Sequence, residues 1–208
     1  GELGNSKELP GDYRYVDANG DGIIDDNDRM PLFWSGTPLI HYGFNLEASW
    51  KNFDIYALLQ GAGMYTVQFS EVYAEVLWSK GANTPAYFYD RWRKEDPYNP
   101  NSKWVAGKWP ATRLIQDTGA MYKESNIWRR DASYLRLKTL ELGYTLPDSI
   151  LRKSGISNIR FYINGYNLLT FCDSFVKAFD PEKVEGSYSA GMNYPLTKSF
   201  NIGFTANF

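Results

Sequence analysis

The chain has 208 residues, with 22 Lys and Arg against 24 Asp and Glu and a formal net charge of −2, a near-neutral balance that argues against nucleic acid as a partner. One cysteine, Cys172, excludes a disulfide framework or a thiolate-rich metal cluster within the chain, and one histidine, His41, makes a Ser-His-Asp or His-metal centre hard to build. No run of about 18 apolar residues offers a transmembrane helix, and the opening from Gly1 carries no signal-peptide pattern.

The first motif is "DANGDGIIDDND", 17–28. Counted from Asp17, side-chain oxygens fall at positions 1, 3, 5, 9 and 12: Asp17, Asn19, Asp21, Asp25 and Asp28. Gly22 stands at position 6, where the loop of an EF-hand turns sharply, and Ile23 at position 7 offers its carbonyl. A hard cation that takes six to eight oxygens is served by this spacing, so the expected ligand is a structural Ca²⁺. Position 12 is Asp, not the bidentate Glu of an EF-hand, which resembles the dockerin-type variant. The competing reading is a cluster of Asn-Gly and Asp-Gly turns.

Five segments then alternate with period two, the mark of strands with one apolar and one polar face. In "LIHYGFNLEASW", 39–50, the apolar set is Ile40, Tyr42, Phe44, Leu46, Ala48 and Trp50, opposed by His41, Asn45, Glu47 and Ser49. Two residues later comes "FDIYALLQG", 53–61, with Phe53, Ile55, Ala57 and Leu59 together, so 39–61 reads as a hairpin. The third segment, 132–147, puts Leu140, Leu142, Tyr144 and Leu146 on one face. Leu135 and Leu137 are out of phase with them, which predicts a β-bulge or a strand end beyond the apolar zone. The fourth, 158–171, sets Ile159, Phe161 and Ile163 against Arg160, Tyr162 and Asn164. The fifth, 199–208, carries Phe200, Ile202, Phe204, Ala206 and Phe208 on one side.

Short links at 51–52 and 147–158 alternate with long ones at about 62–131 and 171–198, as in a transmembrane β-barrel. Tyr42, Trp50 and Tyr144 near strand ends are expected to form an aromatic girdle. Periodicity alone serves a soluble β-sandwich equally well. Among the chemistry-bearing residues no catalytic constellation emerges, and no enzyme is expected. His41 reads as a polar wall residue and Cys172 as a small apolar one. The 62–131 connection is rich in aromatics. Trp78, Trp104 and Trp109 are candidates for stacking on a ligand. The competing reading, favoured for most of these aromatics, makes them the connection's own core.

The stretches "YRYVDANGDGIIDDNDR", "HYGFNLEASWKNFDIYALLQGAG", "YDRWRKEDPYNPNSKW", "WRRDASYLRLKTLELGYTLP" and "IRFYINGYNLLTF" resemble, in family order, the C-terminal part of the SusC/RagA family, TonB-linked outer-membrane proteins of Bacteroidetes. The resemblance implies an all-β fold: the last five strands of a plugged, 22-stranded antiparallel barrel with long extracellular loops. It divides the chain into an extracellular loop with the calcium-type motif (1–38), a barrel hairpin (39–61), a long extracellular loop (62–131) and the last three strands with their loop at 171–198 (132–208). The C-terminus would be periplasmic and the long loops outside. Five strands cannot close a barrel, so the chain is read as a piece of a longer protein. The implied function is TonB-dependent import of nutrient oligomers, glycan first and peptide second, with a SusD-like lipoprotein at the outer face and TonB engaged through the missing N-terminal part. The alternative is a secreted calcium-dependent β-sandwich that binds carbohydrate.

Overall fold

The computed structural model describes residues 10–69, 84–112, 125–152, 155–183 and 194–208. The chain divides into two compact units, one of residues 1–32 and 68–129 and the other of residues 33–67 and 130–208.

The second unit is built on one five-stranded antiparallel sheet. Its strands are β1 (Ile40–Trp50), β2 (Phe53–Gly63), β7 (Tyr134–Thr145), β8 (Asn158–Phe171) and β9 (Ser199–Asn207). The shorter β3 (Thr66–Gln68) and β6 (Arg129–Asp131) follow β2 and precede β7. In space the order is β1-β2-β7-β8-β9, so each long strand pairs with the next long strand in sequence. This is a meander, with 51–52, 146–157 and the C-terminus at one end and all the long connections at the other. Strands of 9 to 14 residues are long enough for a tilted crossing of a bilayer, which takes about 9–11.

Two-residue turns between strands favour positive φ at a central position, and Lys51 supplies it at +54°. The phase slip in the third segment is a bulge. Leu58 pairs with Thr139 but Leu59 with Leu137, leaving Lys138 as the extra residue. Across the next interface the slip recurs between Leu137 and Thr139, opposite Leu169 and Tyr166. Before the bulge the odd residues Leu135 and Leu137 lie on the apolar face. After it the even residues Leu140, Leu142 and Tyr144 do. A bulge inserts one residue, and one residue in a period of two restores the face.

Register sorts the paired side chains, because directly paired residues share a face. One face carries Phe44, Leu59, Leu137 and Leu169, then Ala48, Ile55, Leu142, Ile163 and Ile202. It is not covered by a second sheet: Phe200 is 75% and Ile202 87% exposed, and Leu46, Phe161 and Ile163 are also open. The sandwich alternative required this face to be buried.

The first unit contains β4 (Arg93–Lys94) paired with β5 (Trp104–Val105). Its core is aromatic. Phe88 is fully buried, and Trp109 and Trp128 stack at 5.2 Å between centroids. Tyr87 packs on Trp109 at 4.9 Å. Backbone pairing fixes the cluster: the Trp109 amide donates to the Asp90 carbonyl (3.0 Å) and the Trp92 amide to the Trp109 carbonyl (2.8 Å). Gly107 is required here, since a Cβ would run into the Arg91 backbone. A connection this long must bury something to hold a shape, and these rings are what it buries.

Candidate functional site

Three features of the sheet and its connections are candidates for function. The first is an aromatic row. Trp50 pairs with Phe53, Phe53 with Tyr144, Tyr144 with Phe161 and Phe161 with Phe204, one ring on each of the five strands at a single level. Phe53 and Tyr144 lie 4.6 Å apart and Phe161 and Phe204 6.1 Å. Lys51 places its ammonium 4.5 Å over the Trp50 ring. Tyr42, also expected in a girdle, sits near the other end. Its ring lies over Gly61, where a Cβ would collide with it, and its hydroxyl donates to the Tyr134 carbonyl at 2.6 Å. From the Ile40 level to the Trp50 level is ten residue steps, about 25 Å along the normal for strands tilted by about 40°.

The second is an ionic chain on the opposite, polar face. Arg160 on β8 donates through Nε to Asp54 Oδ1 on β2 at 3.1 Å, and through Nη2 to Asp54 Oδ2 and to Glu141 Oε1 on β7 at 2.8 Å. Asn164 continues it to Glu141 Oε2 (3.1 Å), and Asn201 on β9 to Asn164 (3.0 Å). His41, Asn45 and Glu47 lie on this face by register. β7 separates Asp54 from Arg160, and they meet only because Gly143 lies between them without a side chain.

The third is a quartet at the long-loop end, with Arg136 and Asp180 buried and Lys138 and Glu182 partly so. Arg136, 3% exposed, donates through Nη2 to Asp180 Oδ1 (2.5 Å), through Nη1 to Glu182 Oε2 (2.7 Å) and through Nε to Thr170 Oγ1 (3.0 Å). Lys138 binds Glu182 Oε1 at 2.5 Å. Asp180 also accepts the amides of Leu196 (2.7 Å) and Glu182 (3.1 Å). Burial alone would raise the Asp180 carboxyl, but the Arg136 hydrogen bond and these two amides outweigh it and hold it below the usual carboxylate range.

The residues expected to hold calcium do not converge. Asp17 takes the amides of Gly20 (2.6 Å) and Gly22 (2.8 Å), Asp21 that of Ile23 (2.8 Å), and Asp25 that of Asn27 (2.8 Å). Asp28 takes those of Ala18 and Asp25, both at 2.8 Å, and Asn19 that of Asp21 at 2.9 Å. Among the described residues no three Asp, Glu, His or Cys side chains are placed to share a metal. Asp28 is held below its ordinary range chiefly by the Asp25 amide. Of the aromatic candidates, Trp109 is 4% exposed in the core and has no face to offer a ligand. Trp104 is half-buried under Lys94, whose ammonium lies 4.7 Å over its ring. Trp78 lies outside the described residues. Among the described residues of this unit the open rings are Tyr89 and Tyr98. Burial raises the Cys172 thiol, which fits a small apolar residue.

No protein-family profile matches the chain. Curated relatives do. The chain is 32% identical over 96% of its length to TonB-dependent receptor P3 of Formosa agariphila, and 30% identical over 97% to TonB-dependent receptor P26 of the same organism. Among solved structures, the RagAB peptide importer in its "closed-closed" state matches 94% of the chain at 26% identity and a TM-score of 0.62. The chain belongs to the RagA-like TonB-dependent receptors. It spans about a fifth of the length of these relatives, 19% and 20% of the two receptors and 20% of the importer chain.

In a receptor of this kind the chain's polar face carries two ionic clusters, which period-two patterning could place on a face but could not pair. Asp54 and Arg160 are 106 residues apart in sequence, and Arg136 and Asp180 are 44 apart. The one available signal was Gly143, a glycine within an otherwise strong strand pattern, which marks a close approach. Gly143→Ala should force Arg160 off Asp54 and cost the receptor about 1–2 kcal/mol of folding stability, discounted because the pair is partly solvated. Urea-induced unfolding in detergent checks this, and Asp54→Asn should reproduce most of the loss.

Proposed function

We propose that the chain is part of an outer-membrane importer of nutrient oligomers, with its apolar face against lipid and its polar face lining the lumen. The observation that carries this is the open apolar face, bounded at one end by a row of five rings. An exposed apolar surface of this extent on a soluble domain invites association, whereas a barrel wall requires it. The lumen-facing chain of Asp54, Arg160, Glu141, Asn164 and Asn201 leaves no carboxylate or guanidinium pointing into lipid. The full barrel of 22 strands, its plug and its drive by TonB belong to this reading and rest on the likeness to the receptors of Formosa agariphila and to the RagAB importer. The short turns and the C-terminus are then periplasmic and the long connections extracellular.

The neighbour of known structure is named as a peptide importer, so peptide stands level with glycan as the cargo class. A lipoprotein partner of the SusD kind would dock on the extracellular loops, and the open rings of Tyr89 and Tyr98 suit such a contact. The test is growth of a strain lacking the full-length receptor on defined oligopeptides or oligosaccharides as sole nutrient. Loss on one class alone, restored by the intact gene but not by one with a deleted TonB-contact segment, supports import. Unchanged growth on every class, or recovery of the protein from the soluble fraction, contradicts it.

Calcium at 17–28 is proposed as a structural ligand, on the residue spacing alone. The carboxylates of Asp17, Asp21 and Asp25 keep free lone pairs beside their amide bonds. Binding would be weak, with Kd of about 10⁻⁴–10⁻³ M. Calorimetric titration should show one site, lost in Asp21→Ala. A flat titration to about 10 mM would leave the turn cluster as the whole account.

A further inference from the structure

On the register, Arg136, Gln60 and Thr170 form one level of the polar face. Lys138 joins them because the bulge keeps it in phase with Arg136 and puts Thr139 behind it on the same side. The groups that cover this level come from the connection after β8. Asp180 and Glu182 close on Arg136 and Lys138, and the covered Asp180 is 4% exposed.

The segment is fixed at other points too. Asp173 caps a helical turn, Ser174–Lys177, by accepting the Phe175 (2.8 Å) and Val176 (3.2 Å) amides. Val176 is completely buried. The Tyr65 hydroxyl donates to the Pro181 carbonyl at 2.9 Å, and the Arg130 guanidinium lies 5.5 Å over the Phe175 ring. Asp180 itself is held at a φ of +66°, which a non-glycine residue adopts only where its surroundings enforce it.

We propose that residues 173–183 form a fixed shelf folded inward over the polar wall, that this shelf limits the size of cargo passing along it, and that Arg136 is its positioning residue. The proposal rests on the reading of the polar face as the lumen wall. A loop held only by solvent-exposed contacts would swing with any partner bound outside. Lifting this one has to break the ion pairs to Arg136 and Lys138 together and expose Val176. Two cations against two carboxylates also make the anchor neutral as a unit. Its open side presents Lys177 and Ala178, both exposed.

The test uses the full-length receptor in intact cells with Cys172→Ser and one new cysteine, Asn45→Cys. Asn45 pairs with Leu58, whose other partner is Thr139, on the polar level next to the shelf and further from the long loops. Water-soluble maleimides carrying polyethylene glycol of increasing length are added from outside. Small reagents should label the Asn45→Cys thiol readily and large ones slowly. Ala178→Trp, which leaves every buried anchor in place, should slow the large reagents further. Asp180→Asn with Glu182→Gln should bring their rate severalfold closer to that of the small ones, and should also open 173–183 to protease.

If the double variant opens the segment to protease and Ala178→Trp folds, yet neither changes the size dependence, the shelf does not limit passage and the proposal fails. If the Asn45→Cys thiol resists even the smallest water-soluble reagent while that of a Phe44→Cys receptor reacts with it, the lumen reading itself fails, a distinct result.

Discussion

Leu46→Arg should destabilise the folded receptor by about 2–4 kcal/mol in a lipid bilayer, the cost of an arginine at the midplane of a transmembrane barrel. Leu46 belongs to the level formed with Ala57, Leu140, Gly165 and Phe200, midway between the Ile40 and Trp50 levels. Its side chain is largely exposed in the chain by itself. On a soluble protein such a surface substitution changes stability by roughly 0.5 kcal/mol or less. The large expected effect therefore comes from the surrounding lipid and from nothing in the chain. Trp50→Arg, at the aromatic row, should cost only about 0–1 kcal/mol, because an interfacial arginine reaches water and headgroups. Reversible unfolding of the receptor in thin phospholipid vesicles reads both. Equal costs at the two positions would remove the depth dependence on which the membrane reading stands.

Arg136→Leu should cost about 3 kcal/mol or more, since it strands Asp180 and Glu182 opposite an apolar side chain. The loss should appear as local opening of 173–183 before the sheet yields, because the strands keep their own ladders. Protease sensitivity of that segment, against retained heat resistance of the barrel on gels, checks the order. Acid should mimic the substitution in part. The Asp180 carboxyl is depressed in the folded state, so its contribution is fully present above the ordinary carboxylate value of about 3.9 and is lost as pH falls through the lower folded value. The segment should thus hold at neutral pH and loosen only in strongly acidic buffer.

Much of the wall was legible in the sequence because a sheet with two unlike faces writes its geometry as an alternation. All five strands follow from it, and so does the phase slip between Leu137 and Leu140, which left a bulge or a projecting strand end open until the register decided for the bulge. The aromatic row was half legible. Trp50 and Tyr144 stood near strand ends, but that they share a level with Phe53, Phe161 and Phe204 depends on register across four interfaces. Tyr42 stands near the opposite strand end, and its cover of Gly61 and its bond to the Tyr134 carbonyl were not legible. Within the long connection, composition could not tell Trp109, sealed in a core, from Trp104, half-open beneath a lysine. The ionic clusters were out of reach, because each joins strands or loops far apart in sequence and only the fold brings their charges together. At 17–28 the spacing that suits a cation equally suits carboxylates that cap their own turn amides, and the amide bonds of Asp17, Asp21 and Asp25 were not legible from that spacing.

The most direct test of the account is a scan of single spin labels along β7, residues 134–145, in the full-length receptor in lipid, reading collision with oxygen against collision with a water-soluble nickel chelate. Oxygen contact should peak at 135, 137, 140, 142 and 144, with the alternation breaking once, at Lys138 and Thr139, and chelate contact should peak on the opposite set outside the region covered by 173–183. An unbroken alternation through 138–139, or oxygen peaks at the level of Glu141 and Gly143, would contradict both the bulge and the assignment of the apolar face to lipid.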